Sequence, residues 1–246
     1  MRFFINFSYR GTNYHGWQEQ PNVNTIQSEI NMALQTILNS NIHVVGAGRT
    51  DSGVHAKQMF AHFDHDNDFD IKNVIFKLNS YLPLDICIHD IFKVKKDSHA
   101  RFDALSRSYQ YYIIQNRDPF NKTAYLLLRK LDIDAMNVAS QYLIGKKDFT
   151  SFSKVKTDTF TNNCDIMLAK WEKVNNQLIF TIKADRFLRN MVRAIVGTLL
   201  DVGFGKIEAQ DMVDIILAKD RCRAGVSVPE YALFLVDIQY PNKIIL

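Results

Sequence analysis

Two spacings of apolar side chains alternate along the first hundred residues of the chain. From Phe3 to Tyr9 every second residue is apolar, which predicts a strand. From Asn24 or Thr25 onward the spacing becomes helical, with apolar residues at 26, 30, 33, 34, 37 and 38. Further segments are predicted as strands at about 42–46, 56–64 and 86–95, and as a short helix at about 71–79. The predicted order is β-α-β-β-α-β.

The same order of patterns returns after Arg101. The predicted segments are a strand through Tyr109, a helix from Asp132 to Gly145, strands near 164–173 and 177–184, helices near 187–202 and 208–219, and a last strand at 231–240. Two βαββαβ lobes of this kind favour an α+β fold, in which antiparallel sheets are joined side by side and a cleft lies between the halves. The predicted domains are residues 1–105 and 106–246.

Composition narrows the class of protein. The 246 residues are 47% hydrophobic, which is enough for a sizeable core without disulfides. Three scattered cysteines suit a reducing compartment, and no signal peptide or segment of transmembrane length is present, so we expect a cytoplasmic protein without a membrane partner.

Charge is distributed unevenly along the chain. Residues 106–246 carry 20 basic and 15 acidic side chains, and residues 1–105 carry 10 basic and 11 acidic ones. This excess fits a polyanionic partner such as RNA, although composition alone favours ordinary solubilising charge as the explanation.

The segment 46–56, Gly-Ala-Gly-Arg-Thr-Asp-Ser-Gly-Val-His-Ala, is the most informative part of the chain. Its three glycines allow a sharp turn after an apolar strand, and they place Asp51 at the tip beside Arg49. A dinucleotide-binding loop would need a third glycine where Asp51 stands, and a carboxylate there would repel a pyrophosphate. The loop is therefore a candidate for chemistry.

The aspartate-rich segment 64–70 resembles the start of a calcium-binding loop but lacks its required residues. The glycine position holds Phe69, and the twelfth position holds Ile75. His62 and His65 have no third ligand at a suitable spacing. We therefore predict a solvated turn and no metal site.

Arginines and tyrosines of the second half are candidates for binding an anion or a base. On the predicted helix near 187–202, Arg186, Arg189 and Arg193 share one side, opposite the apolar face. A solvated face explains such a stripe, but three arginines without lysine favour recognition of phosphate or carboxylate. Tyr109 and Tyr111 lie on one face of a predicted strand, where they pack in the core or stack on an unpaired base.

Together these segments resemble the TruA family of transfer-RNA pseudouridine synthases. Besides the loop 46–56, the blocks that occur in the family's order are Tyr14-His-Gly-Trp-Gln18, Thr25-Ile-Gln27, Leu78-Asn79, Leu82-Pro83, His99-Ala-Arg-Phe102, Arg107-Ser-Tyr-Gln-Tyr111, Asp148-Phe-Thr-Ser-Phe152 and Phe187-Leu-Arg-Asn-Met-Val-Arg-Ala-Ile-Val-Gly197. The resemblance implies two RRM-like lobes, a reaction without cofactor or metal, and a homodimer that modifies uridines 38–40 in the anticodon stem-loop of transfer RNA.

The resemblance also implies roles for single residues. By position, Asp51 matches the catalytic aspartate, Tyr109 the tyrosine beside the target base, and Arg193 the arginine that pairs with the aspartate. Arg49 matches the arginine thought to replace the extruded base. Departures from the family pattern are Arg10, where aspartate is usual, Ser52, where alanine is common, and Ala232, where glycine is usual.

Two other classes of function remain as alternatives. A non-catalytic RNA-binding protein with RRM-like lobes would carry an RNP1 string, and none is found. Hydrolysis of a glycosidic bond usually needs two carboxylates, and Asp51 has no evident partner in the sequence. For isomerisation the sequence leaves three routes open: attack of Asp51 on ribose C1′, abstraction of a ribose proton, and attack on uracil C6.

Overall fold

The computed structural model describes residues 1–154 and 160–244, and the chain divides into two units between Leu105 and Ser106. One unit is Met1–Leu105 with Phe234–Leu246, and the other is Ser106–Leu233. The C-terminal segment therefore belongs with the first unit, whereas the sequence pattern grouped all of 106–246 together. Among the described residues, no helix has the length and apolar character needed to cross a membrane.

The described residues form ten strands and five α-helices, so the predicted α+β class is confirmed. The strands are β1 Arg2–Tyr9, β2 Val45–Gly46, β3 His55–Asp64, β4 Ile86–Val94, β5 Ser106–Ile114, β6 Tyr125–Leu126, β7 Gly145–Asp148, β8 Asn163–Val174, β9 Gln177–Ala184 and β10 Leu233–Gln239. The helices are α1 Ile26–Leu38, α2 Ile71–Tyr81, α3 Ile133–Gln141, α4 Met191–Gly203 and α5 Asp211–Ala218.

The sheet of the first unit has the strand order β4-β1-β3-β10. β1 pairs antiparallel with both β3 and β4, and the short β2 pairs with β3. β10 pairs parallel with the start of β3, where Phe234 lies opposite His55. Phe3 and Phe4 point to opposite faces of β1, yet both are fully buried, and the ring of Phe4 packs against the rings of Phe92 and Tyr240.

Both helices of this unit begin at side-chain caps. Thr25 and Ser28 form a capping box at α1, in which each side chain accepts a hydrogen bond from the other residue's backbone N–H at 3.1–3.2 Å. Asp70 accepts from the backbone N–H of Asn73 at the start of α2. These caps satisfy N–H groups that the first helical turn leaves without a partner, and they explain why both helices start where the sequence predicted.

The second unit contains an antiparallel sheet with the order β5-β9-β8-β7. β6 adds a short parallel pairing to β5, and α3 packs on α4 and β8. α4 is the central helix, since most of its residues are buried. The Arg193 side chain is an exception, because 20% of the surface of this side chain is exposed.

Candidate active site

The loop that carries Asp51 connects β2 to β3 and is held by bonds on both sides of its tip. The hydroxyl groups of Thr50 and Tyr9 form a buried hydrogen bond of 2.8 Å, and the carbonyl of Thr50 accepts from the backbone N–H of Trp17 at 3.2 Å. The Val54 N–H donates to the carbonyl of Asp51 at 3.2 Å, which closes the turn. Asp51 is half-buried and Arg49 is exposed. The loop therefore fixes its backbone while it leaves both side chains partly accessible.

A second segment, residues 11–17, is hydrogen-bonded to this loop and to the start of β3. The Ser52 hydroxyl and the Gly53 N–H both donate to the carbonyl of Tyr14, at 3.1 and 3.4 Å. The Gly11 N–H donates to Nδ1 of His55 at 2.9 Å. Tyr14 donates its own hydroxyl hydrogen to Asp85 at 2.7 Å, and burial together with this bond raises the pKa of Tyr14. Backbone and side-chain bonds thus lock the two segments together.

Residue 16 must be glycine because segment 11–17 passes close to the backbone of the Asp51 loop at this point. Gly16→Ala is therefore expected to destabilise the protein. A β-carbon on Gly16 would lie 2.6 Å from the carbonyl oxygen of Thr50, and the φ of this residue is +88°. We expect a loss of about 2 kcal/mol, or a Tm lower by about 4–8 °C in calorimetry. Gly48→Ala, in the loop that Gly16 approaches, is the matched control, because a β-carbon there meets nothing within 4 Å. Equal Tm changes in the two variants would contradict this prediction.

Tyr109 lies on β5 in the second unit, half-buried, with its ring packed edge-on against Phe187 at a centroid distance of 5.1 Å. Its neighbour Tyr111 is fully buried and donates its hydroxyl hydrogen to the carbonyl of Pro229 at 3.0 Å. Burial raises the pKa of Tyr111. Of these two tyrosines on the same strand, Tyr109 is the one with surface available to a ligand, and Tyr111 has a structural role.

The predicted arrangement of three arginines along one helix is wrong. α4 begins at Met191, so Arg186 and Arg189 precede it and only Arg193 belongs to it. The helix cannot extend backward because its N-cap residue, Asn190, has a left-handed backbone with φ of 67°. Arg186 is half-buried and Arg189 is exposed. The three side chains lie in the same unit but not in a single helical row.

Arg193 is held by the segment that follows the fifth helix. Its Nε donates to the carbonyl of Val228 at 2.7 Å, and its Nη2 donates to a carboxylate oxygen of Glu230 at 3.0 Å. Glu230 was not predicted as a site residue, because nothing in a linear pattern relates residue 230 to residue 193. Asp51 and Arg49 belong to the first unit, and Tyr109, Arg186, Arg189 and Arg193 belong to the second.

Three aspartates of the segment that resembles a calcium loop have structural partners. Asp64 pairs with Arg2 at 2.8 Å, and this hydrogen bond lowers the pKa of the carboxyl group. Asp68 pairs with Lys93 at 2.6 Å, and Asp70 caps α2. Within the described parts of the chain, no group of three or more His, Cys, Asp or Glu residues is arranged to hold a metal ion.

Two departures from the family pattern lie close to the elements just described. Arg10 is exposed, and its backbone N–H donates to the carbonyl of Asp85 at 2.8 Å. Ala232 is fully buried at the end of a short 3-10 helix, Glu230–Ala232, which also contains Glu230. The departure at Ala232 therefore lies in the same short helix as Glu230, which binds Arg193.

Comparison with known proteins decides the family. A family model described as tRNA pseudouridine synthase matches residues 5–103 and 139–241. The chain belongs to the tRNA pseudouridine synthase family. This confirms the resemblance inferred from the sequence, and the two matched segments include the Asp51 loop and Arg193.

Relatives within the tRNA pseudouridine synthase family match over nearly their whole length. The tRNA pseudouridine synthase A of Bacteroides thetaiotaomicron is 51% identical over 247 residues, which cover 99% of this chain and 92% of the relative. The corresponding protein of Parabacteroides distasonis is also 51% identical, with 99% and 97% covered. That of Aliivibrio salmonicida is 36% identical, with 99% and 94% covered. A chain of a Cbf5-Nop10-Gar1 complex aligns with a TM-score of only 0.36 and 11% identity, too low to indicate a common fold.

Proposed function

We propose that this protein converts uridine to pseudouridine in the anticodon stem-loop of transfer RNA, at positions 38–40, with Asp51 as the catalytic carboxylate. As a member of its family, it is an isomerase that acts on uridine in transfer RNA. The observation that carries the assignment to Asp51 is the loop itself, whose backbone is anchored through Thr50 and Val54 while the Asp51 side chain stays partly accessible. A rigid support with an accessible carboxylate is what a reacting group requires.

The reaction breaks the bond from ribose C1′ to uracil N1, rotates the base, and joins C1′ to C5. The proton on C5 must then be removed, and a proton is gained at N1, so the product is an isomer of the substrate. Asp51 attacks C1′, abstracts a ribose proton or attacks C6, and each of these routes begins with an ionised carboxylate. None of them needs a redox cofactor, because the product is an isomer of the substrate and the conversion involves no net oxidation or reduction.

We assign to Arg193 the role of pairing with Asp51. A guanidinium group close to a carboxylate favours its ionised form inside a site from which water is excluded. Arg193 suits this role because it is one-fifth exposed at a helix start, with its Nε and Nη2 atoms already anchored. A planar group that is anchored on one side presents its remaining N–H bonds in a fixed direction.

Extrusion of the target uridine from its stack costs a few kcal/mol, and protein contacts must offset that cost. We propose that exposed Arg49 fills the space left by the base, and that the half-buried ring of Tyr109 packs against the extruded uracil. The Tyr109 hydroxyl is then a candidate for receiving the C5 proton, directly or through water. Arg186 and Arg189 are proposed to bind phosphate groups, as guanidinium groups commonly do in RNA-binding proteins.

Three broader features belong to the same proposal. The two units are proposed to be RRM-like lobes whose sheets join side by side around a cleft that admits RNA. The protein is proposed to act as a cytoplasmic homodimer. The element order β1-α1-β2-β3-α2-β4 in the first unit supports the lobe assignment, since it is the βαββαβ order of that fold.

The experiment that tests this function uses unmodified transfer-RNA transcripts and the full chain. After incubation, pseudouridine is mapped by primer-extension stops after carbodiimide treatment. We expect stops only in the anticodon arm, and none in a matched transcript whose uridines 38–40 are cytidine. Stops elsewhere in the transcript would overturn the choice of the anticodon arm, and their complete absence with active protein would overturn the function.

A further inference from the structure

The guanidinium group of Arg193 is held at two different nitrogen atoms by one short segment of chain. The carbonyl of Val228 accepts from Nε at 2.7 Å, and the carboxylate of Glu230 accepts from Nη2 at 3.0 Å. Bonds to Nε and to Nη2 restrain the plane of the group as well as its position, because all five N–H bonds of a guanidinium lie in one plane.

This segment is itself fixed to its unit. The backbone N–H of Val228 donates to the carbonyl of Arg193 at 3.3 Å, so these two residues exchange bonds in both directions. The buried hydroxyl of Tyr111 donates to the carbonyl of Pro229, between Val228 and Glu230. Val228 is 5% exposed, so the segment is packed and not a freely moving loop.

The Glu230 pair therefore differs from an ordinary surface ion pair. Exposed pairs contribute little because two long side chains lose conformational freedom in water. Here the Arg193 side chain is only 20% exposed, its Nε is already anchored by the backbone, and the Glu230 side chain is 40% exposed. The bond from Nε to the Val228 carbonyl already orders most of the Arg193 side chain. The Glu230 carboxylate therefore fixes the direction of the guanidinium group at little further entropic cost.

We propose that Glu230 is a positioning residue of the isomerisation reaction, which holds Arg193 in the orientation that serves Asp51. The proposal rests on the proposed function of Arg193. Glu230 touches neither the uridine nor Asp51 in this proposal and acts only through the guanidinium group. Its loss leaves the Val228 bond in place, so Arg193 keeps its location but gains freedom to rotate.

Replacement of Glu230 is therefore expected to affect turnover more than binding. For Glu230→Ala we expect a kcat about tenfold lower and a KM for transfer RNA within about twofold of wild type. Glu230→Gln keeps an oxygen acceptor of the same size, so we expect its kcat to return to within about threefold of wild type. Rates are measured as release of tritium from transfer RNA that contains 5-tritiated uridine.

A double-mutant cycle with Arg193→Met distinguishes positioning from a general structural role. If Glu230 acts through Arg193, then Glu230→Ala in the Arg193→Met background causes no further loss under single-turnover conditions. Glu172→Ala is the matched control, because Glu172 forms an exposed pair with Lys170 in the same unit. It removes the same charge, and we expect wild-type kcat and KM from it.

Three outcomes would overturn the inference. These are a wild-type kcat for Glu230→Ala, a loss for Glu230→Ala that is equally large in the Arg193→Met background, and no recovery with glutamine. The proposed function is tested separately by Asp51→Asn in the same assay. If Asp51→Asn is inactive and Glu230→Ala is fully active, only the role of Glu230 is wrong. If Asp51→Asn is fully active, the proposed catalytic role of Asp51 fails, and with it the role of Arg193 toward Asp51.

Discussion

Asp51→Asn is expected to lower the rate of pseudouridine formation by about 10⁴-fold, which corresponds to about 5 kcal/mol of transition-state stabilisation. Asparagine has nearly the shape of aspartate, so the bonds that hold the loop through Thr50 and Val54 remain. What is lost is the negative charge, and every route open to this reaction begins from an ionised carboxylate. Single-turnover tritium release measures the rate, and filter binding measures the affinity for transfer RNA.

The affinity of Asp51→Asn for transfer RNA should stay within about threefold of wild type, because removal of a negative charge does not weaken phosphate contacts. Asp66→Asn is the matched control, since Asp66 is an exposed aspartate of the same unit and its replacement changes the net charge equally. A rate for Asp51→Asn above about one-hundredth of wild type would contradict the catalytic role of this residue.

Gly197→Ala is expected to have the largest effect on stability. Gly197 lies in the middle of α4, where a β-carbon would come within 1.8 Å of the carbonyl oxygen of Val226. That atom belongs to the backbone, so relief of the clash requires the segment around Val226 to move away from the helix. We expect a loss of about 4 kcal/mol, the upper end of overpacking effects, and a Tm lower by about 8–16 °C in calorimetry.

The same substitution at Gly203, in the last turn of α4, is the matched control for Gly197→Ala. A β-carbon at Gly203 would meet the sulfur of Met136 at 2.4 Å, but a methionine side chain can adopt another rotamer. Alanine also favours helix over glycine by up to about 1 kcal/mol, which offsets part of the cost at both positions. We therefore expect Gly203→Ala to be much milder. A Tm for Gly197→Ala within about 2 °C of wild type would refute the close contact with Val226.

Local signals in the sequence predicted much of the fold. α1 and α2 start where Thr25 and Asp70 provide caps, because a cap depends only on residues within one turn. α4 was predicted to start too early, since apolar residues continue at helical spacing through Phe187 and Leu188. The left-handed backbone at Asn190 interrupts that pattern, and apolar spacing carries no information about such an interruption.

Features that depend on distant segments were not predictable. β7, with the sequence Gly-Lys-Lys-Asp, has no alternation of apolar residues and becomes a strand only through its pairing with β8. For the candidate site, the Asp51 loop could be identified from its glycines, since backbone freedom is a local property. The contact between Glu230 and Arg193 joins residues 37 positions apart, and only the folded chain brings them together.

The parallel pairing of β10 with β3 has a consequence for biosynthesis. The ring of Phe234 packs on the ring of His55, the first residue after the loop that carries Asp51, at a centroid distance of 4.5 Å. The Ile238 N–H donates to the side chain of Gln58. The first 105 residues therefore leave the ribosome long before the strand that borders their sheet has been translated. Completion of the sheet beside Asp51 must wait until the residues of β10, Leu233–Gln239, have been translated.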